Sequence, residues 1–202
     1  MRWVDQDPEL PFQAVDTLPD RTGIPASIAT SKAGDDAGLL VIISDRVRQS
    51  VLAHVAGDRN ERGGLLLGEV FTTEGSRDPA HSRAVAVTSA IAAEAFSSSG
   101  VSLRMESDVW NRARKRRAAN ELIVGWYHSH PGLGAFFSHT DRRTQAAFFA
   151  QPYSVGWVLD PDDGSEAFFV GRDSLPLSGV LYCDGVGAGA AGTNGPDTWG
   201  VA

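Results

Sequence analysis

The residues of this chain best suited to chemistry are two histidines two positions apart, His128 and His130, with Ser138 and Asp141 a short way downstream. On an extended strand, residues two apart share a face about 6.6 Å from each other at the backbone, so both imidazoles can reach one ion while Ser129 points away. Tetrahedral zinc takes nitrogen ligands at about 2.0–2.1 Å, accepts a carboxylate oxygen as third protein ligand and, in catalytic sites, keeps a fourth position open. His128, His130 and Asp141 supply that donor set. Each also has an ordinary reading: the histidines alone could be turn or core residues, and Ser138 with Asp141 has the spacing of a helix capping box. A cap is compatible with ligation. It does not account for a second histidine on the same face just ahead of the turn at Pro131 and Gly132.

Such ligands converge only if the surrounding elements deliver them. The apolar run 122–127 predicts a strand ending at the histidine pair, and residues 131–135 a glycine-rich loop. A helix over 140–150 then carries Asp141 in its first turn. Upstream, 39–43 reads as a buried strand and Ser44 as the N-cap of a helix over 45–56. Val47, Val51, Leu52 and Val55 make its buried stripe, and Gly57 is its stop. Segments 63–71 and 84–91 predict antiparallel strands on either side of a polar turn. A polar helix follows over 107–119, and strands at 154–159 and 166–170 flank the turn sequence Asp160-Pro161-Asp162-Asp163-Gly164. Residues 1–37 read as an irregular arm outside the core, and 184–202, rich in Gly and Ala, as a flexible tail.

Composition narrows the classes. With 202 residues, 42% hydrophobic and 21% charged, the chain suits one folded domain with additions. A formal net charge of -7 argues against nucleic acid as the main partner. The basic cluster Arg112, Arg114, Lys115, Arg116 and Arg117 reads as the solvated face of a helix. The single cysteine, Cys183, allows neither an internal disulfide nor a Cys-rich zinc ribbon, so a metal must be held by His and carboxylates. No stretch reaches membrane-spanning length and residues 1–12 hold no apolar signal region, which makes a cytoplasmic protein without a membrane partner the expectation. Oligomeric state is left open.

The segment Gly125-Trp126-Tyr127-His128-Ser129-His130-Pro131, followed by Ser138 and Asp141, resembles the signature of the JAMM (MPN+) zinc metalloprotease family. Glu61-Arg62-Gly63-Gly64-Leu65-Leu66-Leu67-Gly68 is similar to the family's glutamate ahead of a glycine-containing strand, and 155–161 to its late core strand. The resemblance covers roughly 44–170. It implies an α/β fold, a curved and mostly antiparallel sheet flanked by helices in a cytidine-deaminase-like sandwich, with 38–183 as the catalytic domain. It further implies Zn2+ on His128, His130 and Asp141, Glu61 rather than Glu69 as general base, and Ser138 as a donor to the oxyanion.

The activity implied is hydrolysis of an amide or isopeptide bond after the C-terminal Gly of a ubiquitin-like protein, as in stand-alone bacterial deubiquitinase-like members. Two alternatives stay open: a non-catalytic MPN-type scaffold that binds partner proteins, and a peptidase that processes sulfur-carrier proteins. Relatives carry a substrate-binding insertion where this chain has Phe96, Ser97, Ser98, Ser99, Gly100, Val101 and Ser102, which makes those residues the expected docking strand for an extended substrate tail. Their plain reading is a Ser/Gly-rich surface loop. Only a few residues separate the helix ending near 150 from the strand at 154, which leaves no room for the second insertion of some ubiquitin-chain-specific members.

Overall fold

β-Branched and aliphatic runs supply the strands, and the length of the connections between them decides the pairing. A computed structural model describes residues 10–18, 22, 38–73, 77–93, 107–177 and 180–183. Its strands are β1 (Gln13–Ala14), β2 (Leu40–Ser44), β3 (Gly63–Thr72), β4 (Ser82–Ala92), β5 (Leu122–Ser129), β6 (Val155–Leu159), β7 (Glu166–Val170), β8 (Leu175–Pro176) and β9 (Leu181–Cys183). Three α-helices accompany them among the described residues: α1 (Asp45–Val55), α2 (Ser107–Arg116) and α3 (His139–Phe148). The sheet runs β8-β7-β6-β5-β3-β4-β2-β9, and β1 pairs with β3 beyond the point where β5 stops. It is a curled, mixed sheet flanked by helices, in the expected α/β class. Its longest ladders, β3 with β4 and β3 with β5, are antiparallel, whereas β2–β4, β2–β9, β5–β6 and β1–β3 are parallel.

The parallel pair β5–β6 positions the site. Parallel neighbours cannot be joined by a tight hairpin, so the chain leaves β5, crosses the sheet as α3 and returns in β6. The start of α3 is thereby laid over the C-terminal end of β5. On the opposite face, α1 packs the buried Val47, Val51 and Val55 against Val41, Ile43, Val85 and Val87. Ser44 caps it as expected, its hydroxyl accepting the Val47 N–H at 3.2 Å, and Gly57 follows in the left-handed region with φ 74°.

A β-bulge sets which face each residue of β5 presents. Leu66 lies opposite Gly125 but Leu67 lies opposite Ile123, so Val124 is an extra residue on β5. Val124 and Tyr127 therefore both enter the core on the α1 side, although they are three residues apart. Trp126 is turned to the other side, among Leu65, Leu67, Val109, Phe137 and Phe149, and His128 follows two residues later.

Two expectations need correction. Part of the segment read as an irregular arm belongs to the core: Gln13 and Ala14 pair in parallel with Phe71 and Thr72, and Leu18 is fully buried with Leu40, Ile42 and Phe71. The reason is nonlocal, because β3 outruns β5 and leaves an edge that residues 13–14 fill. The short strands β8 and β9 were also not foreseen, and α2 and α3 end at Arg116 and Phe148, a little earlier than their patterns suggest. The expected tail at 184–202 lies outside the described residues. No helix among the described residues is long and apolar enough to cross a membrane.

Candidate metal centre

His128 is the penultimate residue of β5. His130 lies just beyond it, held to β6 by its backbone N–H donating to the Leu159 carbonyl at 2.8 Å. Asp141 sits three residues into α3, where the Ser138 hydroxyl accepts the Asp141 N–H at 3.2 Å and the Asp141 carboxylate accepts the Ser138 N–H at 2.7 Å. This reciprocal capping box fixes the carboxylate at the helix start. All three side chains are buried. The structure brings them together: His128 Nε2 and His130 Nε2 lie 3.1 Å apart, Asp141 Oδ1 is 3.3 Å from the first and Asp141 Oδ2 is 3.5 Å from the second.

Those separations test whether the residues suit a metal. Four ligands at about 2.0–2.1 Å in a tetrahedron are spaced by about 3.3–3.4 Å along its edges. The His128–His130 separation and the contacts that Asp141 makes, one through each carboxylate oxygen, lie close to that edge, and the donor set of two imidazoles and one carboxylate is that of an open zinc site. Ligation needs neutral imidazoles and an ionised carboxylate, and the surroundings favour these at His128 and Asp141 but oppose them at His130. Burial pushes the His128 pKa down in spite of neighbouring Asp141, which favours the neutral ring. Burial also opposes ionisation of Asp141, but hydrogen bonds from His128 and His130 outweigh it and hold the carboxylate far below its usual range. For His130 burial is likewise outweighed, by Asp141 and then Glu61, and its pKa rises.

Glu61 lies on the approach to β3 with its side chain about a third exposed, and its Oε1 is 3.9 Å from His130 Nε2. The rival Glu69 stands six residues past Gly63 on the same strand, about 20 Å further along. It is buried there and accepts a hydrogen bond from the Asn120 amide at 2.6 Å. Ser129 has a place that its sequence position does not announce. Its N–H donates to the Arg62 carbonyl at 2.8 Å and its hydroxyl accepts the Arg62 N–H at 3.0 Å, which stitches the Glu61 segment to the strand carrying the histidines.

Two further contributors escaped the sequence reading. The Trp126 indole stacks on the His128 ring with centroids 4.4 Å apart and planes within 7°. Asp160, read as a turn residue at the end of the late core strand, clamps the loop after the histidine pair. One carboxylate oxygen accepts the N–H groups of Gly132 and Asp162, each at 2.9 Å, and the other accepts Gly134 N–H at 2.6 Å. Gly132 and Gly134, at φ 71° and 85°, give the backbone the curvature that aims both amides at it. The only sequence signal was an Asp-Pro pair after an apolar strand. The residues expected to dock substrate, Phe96, Ser97, Ser98, Ser99, Gly100, Val101 and Ser102, lie outside the described residues.

A parallel strand pair whose crossover helix lays an aspartate onto a His-x-His strand end defines the JAMM-type class of the JAB/MPN fold. The chain belongs to the family described as prokaryotic homologs of the JAB domain, whose model matches residues 44–167. It is 32% identical over 150 residues to the 26S proteasome regulatory subunit RPN11 of Eremothecium gossypii, covering 71% of this chain and 45% of that protein. It is 33% identical over 133 residues to the ubiquitin carboxyl-terminal hydrolase RPN11 of Saccharomyces cerevisiae, covering 63% and 40%. The chain thus spans less than half the length of these relatives. A solution structure of a Desulfitobacterium hafniense protein shares the fold at a TM-score of 0.55 and 18% identity, over 73% of this chain and 96% of that one.

Proposed function

We propose that the protein is a zinc-dependent peptidase that hydrolyses an amide or isopeptide bond following the C-terminal Gly of a ubiquitin-like protein. The observation that carries this reading is the convergence of His128, His130 and Asp141 at tetrahedral spacing with Glu61 alongside. The yeast relative, by name a ubiquitin carboxyl-terminal hydrolase, supports the substrate class. His128, His130 and Asp141 would hold the zinc, which would supply Lewis acidity for the scissile carbonyl and bring the pKa of a bound water down toward neutrality.

The chain's own groups do the rest. Glu61, beside His130 and open to solvent, takes the proton of the attacking water and returns it to the departing amine, a role worth about 10²–10⁴-fold. Ser138 uses its oxygen as acceptor in the helix cap, which leaves its hydroxyl proton to donate to the developing oxyanion. The extended tail of the substrate is proposed to dock against residues 96–102. Deleting 97–100 should lower kcat/KM for a modifier conjugate without changing zinc content.

The deciding experiment incubates the zinc-loaded protein with three substrates: an isopeptide conjugate of a ubiquitin-like protein, a linear fusion to one, and a C-terminally extended sulfur-carrier protein. Mass spectrometry identifies the products. Cleavage after the terminal Gly of the first or second supports the proposal, and cleavage of the third alone reassigns the substrate. No cleavage of any, with about one zinc bound per chain, turns the reading to a metal-binding scaffold.

A further inference from the structure

Gln145 lies one helical turn after Asp141, on the same face of α3, and is fully buried. Its amide oxygen accepts the Trp126 indole N–H at 2.6 Å. Its amide nitrogen faces three carbonyls, those of Ser154 at 3.0 Å and of Phe149 and Gly171 at 3.2 Å each. An indole nitrogen can only donate and a carbonyl can only accept, so the orientation of this amide is fixed: turning it over would set donor against donor and acceptor against acceptor. Gly156 keeps the space open, since a Cβ there would come within 2.3 Å of the Phe137 ring and 2.9 Å of the Gln145 oxygen. One side chain thus grips α3, the chain entering β6, the turn after β7 and the Trp126 ring that lies flat on His128.

We propose that Gln145 and Trp126 are positioning residues of the metal centre. Gln145 locks the helix that carries Asp141 to the strand that carries His128, and the stacked indole transmits that lock to the imidazole. The proposal rests on the zinc reading above and says which residues preset the ligand spacing before metal arrives. An amide that merely satisfied core carbonyls would matter for folding and leave the metal's surroundings unchanged. A preset site loses metal affinity when its supports go, typically about 10–100-fold for outer partners of a ligand.

The test uses the full chain, stripped of metal, titrated with zinc and separately with Co2+ as a spectroscopic probe. Gln145→Met fills nearly the same volume without the polar atoms, while Trp126→Phe keeps a stacked ring and removes the indole N–H. Gln145→Met should retain a cooperative metal-free melt, bind zinc about 10–100-fold more weakly, and show an altered visible Co2+ spectrum. Trp126→Phe should weaken zinc less, and the double variant should bind no more weakly than Gln145→Met alone, because both changes break the same lock. Wild-type zinc affinity and Co2+ spectrum in Gln145→Met overturn the proposal. If that variant does not fold, wild-type values in Trp126→Phe overturn it instead. A wild-type chain that binds neither ion removes the zinc reading and this proposal with it, whereas an unaltered variant beside a metal-binding wild type removes this proposal alone.

Discussion

Around Glu166, on β7, every carboxylate oxygen meets a donor: Arg48 Nη2 at 2.5 Å on one, the Trp157 indole N–H at 3.1 Å and the Tyr182 hydroxyl at 2.9 Å on the other. Around Asp141, the carboxylate and two imidazole nitrogens instead aim at one point from 3.1–3.5 Å apart. Both clusters are tied to the β5–β7 part of one sheet; the first is partly open to solvent at Arg48, and the second is buried. The first gives both Glu166 oxygens donors from within the fold, tying α1, β6, β7 and β9 together, as polar groups with a structural role do. The second crowds two imidazole nitrogens and a carboxylate into mutual contact, a donor set that suits a cation. A polar cluster is therefore informative chiefly through the kinds of donor it gathers at one place.

The strongest way to break this comparison is to make the same kind of change in each cluster. His128→Leu should abolish zinc binding and reduce turnover to background, yet leave metal-free stability within about 1 kcal/mol of wild type or above it. Chemical denaturation of the metal-free proteins checks the second half. Zinc at about a thousand times its Kd should stabilise wild type by about 4 kcal/mol and His128→Leu not at all. A large loss of metal-free stability in His128→Leu would mean that the cluster is structural after all.

Glu61→Gln comes next in size. Because Glu61 is assigned to proton transfer, turnover should fall about 10²–10⁴-fold while zinc content and melting temperature stay as in wild type. Elemental analysis and initial rates measured on one preparation would expose a wrong base if activity survived. At the other cluster, Glu166→Leu should cost about 2–4 kcal/mol by stranding the Trp157 and Tyr182 donors, with the stabilisation by zinc retained. Loss of zinc affinity in that variant would show that the two regions are not independent.

The smallest expected effect concerns Asp160. Burial works against its ionisation, but the backbone N–H groups of Asp162, Gly132 and Gly134 outweigh it and hold its pKa below the usual carboxylate value. A carboxylate whose pKa is lowered by folding contributes stability above its unfolded pKa of about 3.9, and that contribution is lost as pH falls through the folded value. Asp160→Asn should remove this acid-dependent part, flattening the loss of stability below about pH 4. Melts from pH 3 to 7 compare the two slopes.

Much of the frame was readable because it rests on local rules. The three-to-four spacing of Val47, Val51 and Val55, the Ser44 cap, the Gly57 stop and the apolar runs that became β3 to β7 each carry their signal within a few residues. β1 and β9 were not readable that way. Residues 13–14 and 181–183 are strands only because β3 and β2 present edges there, and no local pattern records a partner 58 or 139 positions away. The arm reading failed at Leu18 for the same reason.

For the site, sequence alone determined the donor types and their order: two histidines on alternate strand positions, then an aspartate in a helix's first turn, because spacing of two and a capping motif are local facts. Tertiary structure decided everything that depends on approach between distant segments. It put Glu61 near His130 through the Ser129–Arg62 stitch, and left Glu69 far along the strand holding Asn120. The bulge at Val124 turned Trp126 toward the α3 side, where it stacks on His128 and meets Gln145. Asp160 became the clamp of the loop after His130 only because β6 returns beside β5. The physical reason is common to all four: a hydrogen bond or ring contact between segments apart in the chain is set by sheet register and crossover geometry, which are properties of the whole packed chain and not of any window of it.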